Sequence, residues 1–160
     1  MIRLSLIGVR VEVPTNQPIV LLREEEGTRF LPIFIGSPEA TAIVYALQGL
    51  ATPRPLTHDL FKTVLDDLSV TLDRVEITKL HEGTFYAEIE LDRGGAKSRI
   101  SSRPSDAIAL AVRCEARILV SDSVLDRSAI SAESEDDENI AVFKEFIQSL
   151  PDDPPGQGSS

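Results

Sequence analysis

No run of about 18 apolar residues occurs in this 160-residue chain, so no segment is expected to cross a bilayer as a helix. A single cysteine, Cys114, excludes an internal disulfide. One cysteine and two histidines, at no ligand-like spacing, also exclude a structural zinc site. There is no Gly-rich phosphate loop and no G-x-S-x-G elbow. The opening MIRLSLIGVRVEV alternates apolar residues with arginines and lacks the apolar block and cleavage site of a secretory signal. These absences predict a cytoplasmic, or at least reducing, setting with no membrane contact.

Positive charge is scarce as well. The net charge is −10, but residues 131–160 hold eight acids and one lysine, which leaves only −3 for residues 1–130. The body is nearly balanced and the acidity is mostly a tail. It lacks the basic, aromatic-interleaved surface of a dedicated nucleic-acid binder, although a balanced body does not exclude phosphate contacts.

What the chain does have is alternation. IRLSLIGVRVEV changes phase near Leu6–Ile7, which predicts a bulge beside Gly8. Hairpin turns are expected at Glu26-Gly27, Glu82-Gly83 and Gly94-Gly95, each between two strand-like runs. In FYAEIEL, Phe85, Ala87, Ile89 and Leu91 face one way and Tyr86, Glu88 and Glu90 the other, as in a half-buried strand. A short strand is expected in ARILVS.

Three helices are expected between these strands. SPEATAIVYALQGL offers Ser37 as N-cap and Pro38 as first helical residue, with Ala40, Ile43, Val44, Leu47 and Leu50 in one stripe. THDLFKTVLDDL aligns Leu60, Phe61, Val64, Leu65 and Leu68. PSDAIALAV is apolar nearly all round and should be buried on most sides. The expected class is α+β: a mostly antiparallel sheet built from hairpins, with helices packed against it. It occupies residues 1–130 as one domain. Residues 131–160 read as an acidic linker, one amphipathic helix (IAVFKEFIQSL) that packs on the domain or a partner chain, and a disordered end.

One polar phrase is written twice, RPLTHDL at 54–60 and RPSDAIALAVR at 103–113. Thr57, Asp59, Ser105 and Asp106 suit helix starts, where small hydroxyls cap and acids complement free N–H groups. Arg54 and Arg103 do not, because a cation opposes that end of the dipole. They want a carboxylate or a phosphate. Arg54 with Asp106, or Arg103 with Asp59, would pair internally; a helix start flanked by arginine is equally an anion site. His58, beside Asp59, suits a base, a metal ligand or a buried hydrogen-bond donor. If the helix starts meet, His58, Asp59, Asp106 and Glu39 converge. His81 is expected to be exposed beside a turn, and Cys114 to be a small core residue.

FLPIFIGSPEATAI, RPLTHDL, VTLDRVEITKLHEGTFYAEIEL and SRPSDAIALAVR, in that order, resemble the bifunctional nuclease domain family over about residues 1–130. VFKEFIQSLPDD also resembles the segment that often follows this domain in bacterial members. The resemblance implies an α+β fold and a nuclease, the family being named for DNase and RNase activity in a plant relative. Its polar motif positions fall on Glu39, Arg54, Thr57, His58, Asp59, Arg103, Ser105 and Asp106. By that reading Arg54 and Arg103, with Thr57 and Ser105, hold phosphate and His58 is the acid/base. Asp59 and Asp106, supported by Glu39, bind a divalent metal, Mg²⁺ or Mn²⁺. Family members commonly carry an acid before the second Arg-Pro, where this chain has Ser102, so it is one carboxylate short there. The competing reading is a non-catalytic regulatory or assembly module, a homo-oligomer in which the two phrases form a cap and salt-bridge network.

Overall fold

A computed structural model describes residues 1–12 and 14–131. The helix expected within 140–150 lies outside the described residues. Four helices and eight strands follow in the order β1 (Ile2–Glu12), β2 (Gln17–Glu24), β3 (Arg29–Phe34), α1 (Ser37–Gln48), α2 (Thr57–Asp67), β4 (Thr71–His81), β5 (Thr84–Arg93), β6 (Ala96–Ser102), α3 (Pro104–Cys114), β7 (Arg117–Val120), α4 (Asp122–Ser128) and β8 (Ile130–Ser131). The strands form one sheet in the order β6-β5-β4-β7-β1-β2-β3-β8, antiparallel at every described pairing except β4 with β7. The α+β class is therefore observed. No helix among the described residues is long and apolar enough to cross a membrane.

The turn chemistry sets the sheet. Glu82 and Gly83 both take positive φ (50° and 77°), as do Gly94 and Gly95 (58° and 93°). Two consecutive left-handed residues match the right-handed twist of the flanking strands and close tight hairpins. The phase change in β1 is a register shift between Leu6 and Gly8 opposite β2. The core joins Leu22 and Leu31 from the hairpin, Ile43 from α1, Ile77 from β4, Ile108 from α3 and Val120 from β7.

As its all-round apolar sequence demands, α3 is buried almost continuously from Pro104 to Ala111 and packs on α1, α2, β4 and β5. Three details differ from expectation. The N-cap of α1 is Gly36, with Ser37 already helical, so the helix begins one residue early. The α2 stripe is not covered by the described residues: Leu65 is buried, while Leu60, Phe61, Val64 and Leu68 are exposed, as are Leu47 in the last turn of α1 and Leu50 just after it. On the polar face of β4 to β6, Glu76 and Glu90 are buried. Arg74, Lys97 and Arg99 lie over these carboxylates as ion partners.

Candidate functional site

The two similar phrases do start two helices, and α1 supplies a third start at the same place. Each of these helices carries an acid at its third position: Glu39 in α1, Asp59 in α2 and Asp106 in α3. A carboxylate there complements unpaired backbone N–H groups. The three acids nevertheless have different partners.

Asp59 acts as a cap. Its Oδ2 accepts the Leu56 backbone N–H at 3.0 Å, and its Oδ1 accepts Nε of Arg113 at 2.6 Å. The Arg113 guanidinium holds the Asp59 carboxyl below the usual carboxylate range; partial burial opposes this and the Leu56 N–H adds to it. Arg113 itself is only 6% exposed, and it also donates to the carbonyls of Ala109 (2.9 Å) and Ala42 (3.0 Å). One guanidinium thus ties α1, α2 and α3 together.

Asp106 faces a pocket. His58 Nε2 lies 2.9 Å from its Oδ1, and Arg103 Nε donates to its Oδ2 at 2.8 Å. Burial alone would raise the Asp106 pKa, but the hydrogen bonds from His58 and Arg103 outweigh it and the carboxyl sits below its ordinary value. The acid is therefore ionised at neutral pH, and Nε2 of His58 is the donor. Arg103 reaches further, from Nη2 to Glu39 Oε1 at 2.6 Å, and its own pKa is raised by Asp106 first and then Glu39. The result is a chain, Glu39–Arg103–Asp106–His58, with Arg103 65% exposed and His58 only 12% exposed.

A cavity of about 390 Å³ opens at these helix starts, lined by Pro38, Glu39, Thr41, Ala42, Leu56, Thr57, His58, Arg103 and Asp106. Five expected site residues meet there: Glu39, Thr57, His58, Arg103 and Asp106. Three do not line it. Asp59 turns to Arg113, Ser105 is buried beneath the start of α3, and Arg54 is exposed with no ion pair among the described residues. Neither reciprocal Arg–Asp pairing forms; Arg103 instead bonds the acid of its own phrase and that of α1.

Arg113 is the residue that sequence reasoning missed. It closes the second phrase, and its only signal is a cation ending a helix otherwise apolar all round. Pocket geometry also bears on the implied metal. Among the described residues no group of three or more His, Cys, Asp and Glu converges as ligands. Glu39 and Asp106 face each other across the Arg103 guanidinium, which takes the place a cation would occupy. As arranged, this donor set does not fit a divalent ion.

Comparison with known proteins agrees with the motifs. An uncharacterized protein of Mycobacterium tuberculosis is 44% identical over 158 residues, covering 92% of this chain and 94% of its own. Bifunctional nuclease 2 of Oryza sativa subsp. japonica is 30% identical over 117 residues, which are 71% of this chain and 36% of that protein. Bifunctional nuclease 1 of Arabidopsis thaliana is 31% identical over 107 residues, 64% of this chain and 33% of its own length. Both plant proteins are thus matched over about a third of their length. The profile of the Bifunctional nuclease domain matches residues 20–133. The chain belongs to the Bifunctional nuclease domain family.

Proposed function

We propose that the pocket at the three helix starts binds a phosphodiester and hydrolyses it, making the chain a nuclease. The observation that carries this reading is the His58–Asp106 pair, 2.9 Å apart at the wall of a cavity that also holds an exposed arginine. Asp106, held ionised, fixes the ring through Nε2 and leaves Nδ1 for proton exchange. In hydrolysis a water oxygen bonds to phosphorus and the bond to the leaving oxygen breaks. His58 takes the water's proton or supplies the leaving oxygen with one. Arg103 offsets the phosphate charge, as guanidinium does in bidentate anion contacts. The plant relatives' printed name, bifunctional nuclease, supports the same reaction class.

A second reading is favoured by the closed pairing of the same residues. Glu39, Arg103, Asp106 and His58 satisfy one another without a ligand, as a purely architectural tie would. Cleavage assays on single- and double-stranded DNA and RNA, with Mg²⁺, Mn²⁺ or EDTA, separate the two. The nuclease reading expects His58→Ala to lower kcat by about 10²–10⁴-fold, the usual worth of an acid/base group. No cleavage by wild type in any of these conditions would leave the architectural reading.

Nucleic acid as partner, a homo-oligomeric state and a cytoplasmic setting belong to the same proposal. The exposed apolar side chains of α2 support self-association, because contiguous apolar surface marks contact regions. Light scattering of the full chain reads it, and a monomer at every concentration would remove that part.

A further inference from the structure

We infer that the pocket takes one nucleotide-sized phosphodiester unit, a dinucleotide or a single-strand end, and not a long strand or a duplex. This rests on the reading of the pocket as a phosphodiester site and names its substrate class.

The first observation is shape. At about 390 Å³ the cavity stands near the small end of the roughly 300–1,000 Å³ typical of small-ligand sites. Pro38, Ala42 and Leu56 add apolar surface to a lining that also holds Arg103 and His58. That pairing of surfaces suits one base or sugar beside one phosphate.

The second is the shortage of cations. A protein that follows a nucleic-acid backbone neutralises several phosphates at once. Among the described residues Arg103 is the one cation in the pocket lining; of the others, Arg3, Arg29, Lys62, Arg74, Lys97, Arg99 and Arg113 are ion-paired with the chain's own acids, and Arg23, Lys79, Arg93, Arg117 and Arg127 lie outside that lining. Residues 1–130 carry a net −3. A long polyanion would meet this repelling body on leaving the pocket, whereas a dinucleotide ends inside it. Arg54, exposed just before Leu56 and without an ion pair among the described residues, can meet at most one neighbouring phosphate.

Binding separates this from catalysis. Calorimetric titration of the full chain uses a dinucleotide, a short and a long single strand, and a duplex, at about 50 and 200 mM salt. The expected result is that the long single strand, which can offer only its end, binds no tighter than the dinucleotide, and the duplex more weakly than either. The salt slope should be near −0.7, the value of about one phosphate contact on a single strand. Thr41→Phe, which fills the cavity from an exposed helix position, should abolish binding while circular dichroism and melting stay those of wild type; Arg103→Ala should weaken it. Affinity that climbs with length at a slope of several, tightest binding to duplex, or unchanged binding by a folded Thr41→Phe would each overturn the inference. Failure to bind any of the four would overturn both it and the phosphodiester reading. Dinucleotide binding without hydrolysis would uphold it and defeat only the catalytic claim.

Discussion

Arg113 shows what a single side chain does for this site. It donates to Asp59 and to two backbone carbonyls on two helices from a nearly solvent-free position. Arg113→Ala leaves those acceptors without their donor and should cost about 2–4 kcal/mol in urea unfolding. Arg113→Lys recovers only part of this, since an ammonium cannot present a planar fork. A second residue-scale test concerns Gly36. A Cβ there would lie 2.5 Å from Glu39 Oε2, so Gly36→Ala must displace the carboxylate that holds Arg103. Nucleotide affinity should change while the melting temperature moves little, because Gly36 has ordinary negative φ. Unchanged affinity would show that Glu39 does not position Arg103. The sequence named His58, Asp59, Asp106 and Glu39 as residues that converge if the helix starts meet, and of these Glu39, His58 and Asp106 line one pocket. It could not say that Asp59, equally placed on its helix, would be taken by Arg113, because that choice depends on which helix packs across it.

At the scale of elements, periodicity told which residues share a face but not which faces this chain covers. Leu60 and Leu65 stand in one expected stripe, yet only Leu65 is buried. Leu65→Ala should cost about 2–4 kcal/mol as a core truncation, and Leu60→Ala under about 1 kcal/mol. Equal losses in denaturant unfolding would contradict the placement of α2. Strands were legible for a local reason: positive-φ glycines close the β4–β5 and β5–β6 hairpins and alternation sets the faces. The burial of Glu76 and Glu90 was not legible, since Glu90 is covered by cations of the neighbouring strands β4 and β6, and Glu76 takes Arg99 from β6 besides Arg74 of its own strand. The short α4, capped by Ser121 accepting from Val124 N–H, and the two-residue β8 were too brief to stand out by pattern.

For the whole molecule, the pairing of acids sets how stability follows pH. Asp59 and Asp106 have folded pKa values below their ordinary ones. A depressed carboxylate stabilises the fold above its unfolded pKa, about 3.9, and that contribution is lost as pH falls through the folded value. Melting temperature should therefore hold from neutrality to about pH 5 and fall below about pH 4. Asp59→Asn should start lower and lose less on acidification. A variant as acid-sensitive as wild type would place the linkage elsewhere.

The central claim is that the helix starts form a working site and not only a tie between helices. The most direct measurement is kcat for phosphodiester cleavage, together with unfolding free energy, on one preparation each of wild type and His58→Ala. The account predicts a loss of about 10²–10⁴-fold in kcat with only a small change in stability. A clear loss of stability with hydrolysis unchanged, or absent in both proteins, would contradict it and leave His58 and Asp106 as parts of the scaffold.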